Sequence, residues 1–307
     1  MNRVNRLLPF SRLAEFPQRR LIDATWSLDG TTAHASVSER MLRTARWANL
    51  DTTDRLSDAD PAPNVDPSHR LPHPVLSSRA LGRWATSLGI RSLDDHVVVY
   101  DQTTNFMASA RLAWQLLASG HRGPVHVLAG NINELPPDSF DWEPTVPASS
   151  DVPAEPLASL AYENVAPGGP WLATLDEVRD VVAGRAADTL IVDARSRTRF
   201  LGLEPESRPG LQSGHMPGSL NVPFADLVDG AGDLLPADEL RSKFDPKILA
   251  HAEAGKRLIL SCGTGVTACV VGLALNRLGL EHSQVAVYDG SWTEYARVEL
   301  DEPVLQQ

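Results

Sequence analysis

In the stretch Arg257-Leu-Ile-Leu-Ser-Cys262-Gly-Thr-Gly-Val-Thr-Ala268, an apolar run typical of a buried β-strand ends at Cys262. Two glycines follow within three residues, and the pattern then becomes helical from Cys269 to Leu278, with Gly279 as a C-cap. A cysteine in such a turn faces the N-terminus of the helix, where backbone N–H groups and the helix dipole favour the nucleophilic thiolate. The stretch therefore predicts a site for sulfur chemistry or anion binding.

Strand and helix patterns alternate along the rest of the chain. We predict strands at residues 21–26, 96–100, 125–128, 190–194, 258–261 and 284–288, and helices at 77–88, 109–119, 174–182, part of 236–250 and 269–278. Alternation of this kind is typical of parallel sheets that are covered by helices on both faces.

Three segments of the first half of the chain recur in the second half, at offsets of about 170, 161 and 160 residues. Ile22-Asp-Ala-Thr25 matches Val192-Asp-Ala-Arg195, Val97-Val-Val-Tyr-Asp101 matches Leu258-Ile-Leu-Ser-Cys262, and residues 127–135 match residues 287–295. This repeat indicates two α/β domains from one duplication. In the first domain, Asp101 occupies the position of Cys262.

Prolines crowd residues 136–170 without a periodic apolar pattern, which is typical of an extended surface linker. We therefore predict a non-catalytic N-terminal domain at residues 1–140, a linker at 141–170 and a catalytic C-terminal domain at 171–307. A second proline-rich stretch, Asp60 to Pro74, predicts a loop within the first domain.

The composition narrows the classes of function. A hydrophobic content of 42% and a charged content of 22% are those of a soluble globular protein, and 307 residues suffice for two domains. The net charge of −11 argues against nucleic acid and anionic membranes as partners. Two cysteines are too few for a disulfide framework. Neither a signal peptide nor a membrane-spanning apolar run is evident in the sequence. We therefore expect a free thiol in the cytoplasm.

Four interpretations of the Cys262 loop compete. Residues 263–268 fit the dinucleotide pattern G-x-G-x-x-A, but the strand lies late in its unit, and the acidic residue about 20 positions on, Asp289, stands before Gly290-Ser-Trp rather than in the required βαβ context. A cysteine phosphatase needs an arginine at the position of Ala268. Sulfur transfer needs a thiolate in a cradle of N–H donors, which the loop offers. The fourth interpretation is a buried structural cysteine, and this is the role that we predict for Cys269.

The chain resembles the tandem-rhodanese sulfurtransferases from about Leu21 to Pro303. The pieces that carry the resemblance are Cys262-Gly-Thr-Gly-Val-Thr267, Gly214-His-Met-Pro-Gly218, Asp193-Ala-Arg195 and Tyr288-Asp-Gly-Ser-Trp292. The resemblance implies two tandem rhodanese-like domains, each a parallel sheet with helices on both faces. It implies a sulfurtransferase that needs no metal or organic cofactor.

The loop is more similar to that of 3-mercaptopyruvate sulfurtransferases than to that of thiosulfate enzymes. Thiosulfate enzymes place Arg and Lys directly after the cysteine to hold a doubly charged substrate, whereas Gly263 and Thr264 stand there in this chain. The resemblance implies that Arg199 and Arg208 bind the carboxylate of 3-mercaptopyruvate, and guanidinium forks suit that group. Cys262 then carries the sulfur as a persulfide and pyruvate is released. The loop residues expected to contact the substrate are Gly263, Thr264, Gly265, Val266 and Thr267.

The expected acceptor of the sulfur is a thiol, a thioredoxin-like protein or cyanide. Two alternatives remain open at this point, namely thiosulfate as the donor and a non-catalytic sulfur-binding or regulatory module. Four further residues of the C-terminal domain are predicted to be structural or solvent-facing, namely Asp193, Arg195, Arg197 and His215.

The first domain departs from the family pattern. Family members usually carry a His-Ile-Pro-Gly-Ala turn where this chain has Met41-Leu-Arg-Thr-Ala45. Met41 cannot relay a proton, which puts in doubt any family mechanism that needs that histidine.

Overall fold

The structure is a computed structural model, which describes residues 6–27, 40–59, 71–103, 105–130, 132, 135–141, 153, 155–166, 168–280, 284–297, 300 and 302–306. Contacts between Cα atoms divide the chain into two compact units. The first unit contains most of the residues up to Val165, and the second contains most of the residues from Ala166 onward. Each unit has its own five-stranded sheet.

The first unit is built on a parallel sheet with the strand order β1-β6-β5-β2-β4, and a short antiparallel pair joins β3 to β7. Its strands are β1 (Arg6–Pro9), β2 (Arg20–Asp23), β3 (Met41–Leu42), β4 (Arg46–Trp47), β5 (Val97–Tyr100), β6 (Val125–Ala129) and β7 (Phe140–Asp141). Its α-helices are α1 (Thr52–Ala59), α2 (Ser78–Ser87) and α3 (Met107–Ala118), with 3₁₀ turns at Phe10–Glu15, Pro137–Ser139 and Ala158–Leu160.

The second unit repeats this plan with the strand order β10-β9-β11-β12-β8, again all parallel. Its strands are β8 (Leu172–Ala173), β9 (Thr189–Asp193), β10 (Leu220–Asn221), β11 (Arg257–Ser261) and β12 (Val285–Tyr288). Its helices are α4 (Leu175–Val182), α5 (Arg197–Phe200), α6 (Ala237–Lys243), α7 (Pro246–Glu253), α8 (Ala268–Arg277) and α9 (Ser291–Tyr295), with a 3₁₀ turn at Phe224–Leu227.

The predicted helix signals are confirmed in detail. At the start of α4 the hydroxyl of Thr174 accepts a hydrogen bond from the amide of Glu177, and the Glu177 carboxylate accepts one from the amide of Thr174. Such a capping box satisfies two amides that the helix itself leaves unpaired. Ser77 caps α2 by accepting from the amide of Ala80. The α/β class and the two parallel sheets with helices are thus as predicted.

Several features differ from the sequence predictions, which did not include helices α1, α5 and α9. Strand β1 was not predicted, because it is defined by its parallel pairing with β6, far away along the chain. Helix α3 begins at Met107, two residues before the predicted start at Ser109. Part of the predicted linker packs inside the first unit, where Leu160 is fully buried. Residues 142–152 of that linker, and residues 60–70 of the other proline-rich stretch, lie outside the described residues.

The strand register of the second unit determines where the loop after Cys262 lies. Ser261 at the end of β11 is paired with Asp193 at the end of β9, and the amide of Ala194 donates to the carbonyl of Ser261 at 2.8 Å. The residues that follow both strands therefore meet at the carboxyl edge of the sheet, which is the edge where α/β proteins place their ligands. None of the helices in the described part of the chain has the length and apolar character to span a bilayer.

Candidate active site

Cys262 follows β11 at the carboxyl edge of the second sheet, and only 2% of its surface is exposed. Its amide donates a hydrogen bond to the hydroxyl oxygen of Ser291 at 3.1 Å, and its carbonyl accepts one from the amide of Trp292 at 3.0 Å. The carbonyl of Gly263 accepts from both the amide of Thr293, at 3.0 Å, and its hydroxyl, at 2.7 Å. The segment that follows β12 therefore fixes the cysteine and the first residue of its loop.

The loop between Cys262 and α8 presents unused hydrogen-bond donors. Within the described part of the chain, no protein acceptor takes the amides of Gly263, Thr264, Val266, Thr267 and Ala268. Gly265 has φ +73°, a left-handed conformation that suits glycine and turns the loop into the helix. Free amides at the start of a ten-residue helix form a site that favours an anion.

Cys269 lies in the first turn of α8, directly after the loop. Its thiol donates to the carbonyl oxygen of Gly265 at 3.4 Å, and 4% of its surface is exposed. Both cysteines are free thiols. This position agrees with the structural role that the sequence predicted for Cys269.

A buried ion network lies beside the loop and centres on Arg195, which is 2% exposed. Its guanidinium forms an ion pair with Asp193 at 2.6 Å and with Glu206 at 2.7 Å, and it donates to the carbonyl of Gly214 at 2.8 Å. It also lies over the ring of Trp292, with 4.1 Å between Cζ and the ring centroid. Burial opposes the charge of Arg195, but Asp193 and Glu206 outweigh it and raise the pKa of the guanidinium.

Arg199 reaches the cysteine loop from α5. Its Nη2 lies 3.5 Å from the position that a Cβ atom at Gly263 would take. The same nitrogen forms an ion pair with Glu206, whose side chain is 2% exposed. The Nε atom of Arg199 is buried and has no partner in the described part of the chain, although 30% of the side chain is exposed. The structure therefore brings one predicted arginine next to the predicted loop.

Glu206 joins these two arginines, since one of its carboxylate oxygens pairs with Arg195 and the other with Arg199. The sequence analysis did not single out this residue. Its signal was weak, because an acidic residue in the loop Glu204-Pro-Glu-Ser-Arg208 is most often exposed, and nothing local indicates its burial.

The other predicted residues are placed as follows. Arg208 is half-buried two residues after Glu206, and within the described ranges it has no ion pair. Thr264 is half-buried, and its hydroxyl has no partner among the described residues. The Nδ1 atom of His215 lies 2.8 Å from the carbonyl oxygen of Phe200, and its ring stacks on the Phe200 ring at 3.9 Å. This environment agrees with the structural role predicted for the histidine.

In the first unit Asp101 stands at the position equivalent to Cys262, and its carboxylate binds donors of the loop that follows it. The carboxylate of Asp101 accepts hydrogen bonds from the hydroxyls of Thr103 and Ser109, at 2.7 and 2.6 Å, and from their amides. Met41 is 2% exposed and lies in the apolar core of this unit with Phe140. The donors that would receive a substrate anion are thus used by the protein itself.

Known proteins share both the fold and the sequence of this chain. Residues 174–297 match the family described as rhodanese-like domain. The thiosulfate/3-mercaptopyruvate sulfurtransferase 1 of Arabidopsis thaliana, a mitochondrial protein by its name, is 33% identical over 293 residues, which cover 91% of this chain and 72% of the relative. The human 3-mercaptopyruvate sulfurtransferase is 32% identical over 285 residues, with coverages of 90% and 84%. The crystal structure of the Tum1 protein from Saccharomyces cerevisiae superposes with a TM-score of 0.75 at 25% identity, over 100% of this chain and 99% of that one.

The fold and the cysteine loop thus define a rhodanese-like protein with two domains in tandem. The chain belongs to the tandem-rhodanese family of thiosulfate and 3-mercaptopyruvate sulfurtransferases, and it is a sulfurtransferase.

Proposed function

We propose that the protein moves sulfane sulfur from 3-mercaptopyruvate to a thiol or cyanide through a persulfide on Cys262. In the first step the Cys262 thiolate attacks the sulfur of the donor and forms an S–S bond. The C–S bond of the donor breaks, and its electron pair passes to the carbon fragment as pyruvate enolate. A proton from solvent converts the enolate to pyruvate.

In the second step an acceptor thiolate attacks the outer sulfur of the persulfide. The S–S bond breaks, the acceptor leaves as a persulfide, and Cys262 returns as the thiolate. Cyanide reacts in the same way and gives thiocyanate. A thioredoxin-like protein is the macromolecular acceptor that we propose.

The observation that carries the proposal is the meeting of Cys262, the loop amides and Arg199 at one edge of the sheet. The unpaired amides of residues 263, 264 and 266–268 suit the negative charge of the attacking and the outer sulfur. Arg199, next to Gly263, and Arg208 supply guanidinium groups for a carboxylate. Neither Gly263 nor Thr264 adds a positive charge of the kind that a dianionic donor needs.

Intact-mass measurement after exposure to the donor tests the first step. We expect the wild-type protein to gain the mass of one sulfur atom from 3-mercaptopyruvate and to release pyruvate in equal amount. Cys262→Ser should gain nothing, while Cys269→Ser, the matched control, should gain as much as wild type. Loading of Cys262→Ser, or no loading of wild type, contradicts the persulfide mechanism.

Steady-state kinetics test the roles of the two arginines. We expect Arg199→Ala and Arg208→Ala to raise the KM for 3-mercaptopyruvate at least tenfold more than the KM for thiosulfate, because each removes a bidentate partner of the carboxylate, worth about 1.5–3 kcal/mol. Arg197→Ala is the control, since Arg197 is exposed on the same helix. Equal effects on both donors would exclude a carboxylate-binding role.

Thiosulfate is the second candidate donor, because the Arabidopsis relative carries both donors in its name. The mass measurement separates the two, since each donor is offered alone. For the location we propose the cytoplasm, where a reducing environment keeps the two thiols free. Fractionation of cells that express the protein tests this.

A further inference from the structure

Glu206 is an unusual feature of the site, because a carboxylate that is 2% exposed lies between two guanidinium groups. One of these, Arg195, is itself buried and is held by Asp193, Trp292 and the carbonyl of Gly214. The other, Arg199, is the partly exposed arginine beside Gly263. Glu206 therefore joins a partly exposed arginine to a buried one.

The same carboxylate limits the positive charge of the site. The network consists of Asp193, Arg195, Arg199 and Glu206, and Arg208 follows in the same loop. The four residues of the network carry two positive and two negative charges and balance each other. Arg208, the second arginine that we propose for the carboxylate, then gives the site a net charge of one positive unit. Arg197 and Glu204, two exposed neighbours in sequence, carry opposite charges and do not change this balance.

We propose that Glu206 is a positioning residue that also selects the sulfur donor. It holds the guanidinium of Arg199 against the cysteine loop, and it sets the charge of the site to suit a donor with a single negative charge. This inference rests on the proposed function and goes further, because it assigns donor selection to a residue that does not itself touch the donor.

The physical reason is the difference in charge between the two donors. With its thiol protonated, 3-mercaptopyruvate carries one negative charge, on its carboxylate, whereas thiosulfate carries two. The negative charge of Glu206 repels the second charge of thiosulfate. At the separation of neighbouring side chains in a partly hydrated site, removal of that repulsion favours thiosulfate by about three- to tenfold.

The test is a series of variants that changes the charge of the site in steps. Glu206→Gln raises the net charge by one, Arg199→Gln lowers it by one, and the double variant Arg199→Gln/Glu206→Gln restores the wild-type charge. We expect kcat/KM for thiosulfate to follow the charge, so that Glu206→Gln exceeds wild type by about three- to tenfold. The kcat/KM for 3-mercaptopyruvate should fall in Glu206→Gln, through a higher KM, because Arg199 loses its anchor.

Glu204→Gln is the matched control, because it removes the same charge from an exposed position of the same loop. It should leave the ratio of the two kcat/KM values within about twofold of wild type, since exposed charges are well screened. An equal shift of the ratio in Glu204→Gln and Glu206→Gln would overturn the proposal.

If Glu206→Gln alone does not fold, the comparison of the double variant with Arg199→Gln still tests the proposal. The double variant removes both members of one ion pair and leaves no unpaired partner at that pair. Its kcat/KM for thiosulfate should exceed that of Arg199→Gln by threefold or more. Equal values for these two variants would show that Glu206 has no influence on the donor.

Failure of this inference differs from failure of the proposed function. If wild type gains no sulfur from 3-mercaptopyruvate, the proposed function is wrong. If wild type gains sulfur but kcat/KM for thiosulfate does not follow the charge of the site, donor selection by Glu206 alone is wrong.

Discussion

The hydroxyl oxygen of Ser291 lies 3.1 Å from the amide nitrogen of Cys262 and accepts its hydrogen bond. Ser291 is fully buried, and its own hydroxyl hydrogen is donated to the carbonyl of Tyr288 at 2.7 Å. Ser291, the first residue of α9, thus fixes Cys262, the residue that follows the central strand β11. The cysteine owes its position to this contact across the edge of the sheet rather than to its own loop alone.

We therefore expect Ser291→Ala to destabilise the protein by about 1–3 kcal/mol, because the amide of Cys262 would be left buried and unpaired. Thermal or urea unfolding measures this, and the rate of sulfur loading at Cys262 should fall with it. Ser242→Ala is the control, since its hydroxyl bonds a carbonyl on an exposed helix surface. Equal stability of the two variants would show that the Ser291 contact is not needed.

Arg195→Met is expected to cost about 3–5 kcal/mol, because Asp193 and Glu206 would both lose the cation that compensates their buried charge. Unfolding in urea at neutral pH measures the loss. Arg197→Met, two residues away and exposed, should change stability by less than about 0.5 kcal/mol. A loss of under about 1 kcal/mol in Arg195→Met would mean that water replaces the network.

Gly214 adopts φ +122°, and a Cβ atom there would overlap the carbonyl oxygen of Leu305 and lie 2.7 Å from a methyl group of Val304. We expect Gly214→Ala to cost more than about 3 kcal/mol, since the backbone strain adds to a clash that the chain cannot avoid. Gly210→Ala is the control for strain alone, because φ is +77° and nothing lies within 4 Å of the new carbon. It should cost about 1–2 kcal/mol in the same unfolding measurement.

The stability of the first unit should depend on pH through His96. Burial, with the nearby charges of His126 and Arg19, lowers the pKa of His96 to about 4. The His96 and His126 rings lie 4.9 Å apart, and Phe16 packs on both. Above about pH 6.5 the ring is neutral in both the folded and the unfolded chain, so the free energy of unfolding does not depend on its protonation.

As the pH falls from about 6.5 toward 4, His96 binds a proton in the unfolded chain but stays neutral in the folded chain. The free energy of unfolding therefore decreases. Since the ring is partly hydrated, we expect a modest loss of about 1 kcal/mol between pH 7 and pH 5. Urea unfolding at both pH values measures it. His96→Gln should reduce this loss, whereas His251→Gln in the second unit should not. An unchanged pH dependence in His96→Gln would contradict the assignment.

The local sequence was sufficient for the elements that carry their own signals. The capping box of Thr174 and Glu177, the apolar run before Cys262 and the glycines after it act through neighbours a few residues apart, so they could be recognised without a partner. The two sheets followed from the alternation of these elements, and the repeat followed from comparing the halves. The chemistry of the cysteine loop was inferred in the same local way, whereas the expectation that Arg199 acts at this loop came from the resemblance to the tandem-rhodanese sulfurtransferases.

The features of the site that escaped prediction, like strand β1, depend on residues far apart in the chain. Strand β1 is defined by its pairing with β6, and Ser291 reaches Cys262 because parallel strands end at the same edge. Burial of Glu206 depends on Arg195, on Arg199 and on the surrounding fold, so its sequence neighbours indicate nothing of its role. The amino-acid sequence by itself determined the fold class and the position of Cys262 between a strand and a helix. The folded chain decided which carboxylate neutralises which arginine, because electrostatic pairing follows distance in space rather than separation along the chain.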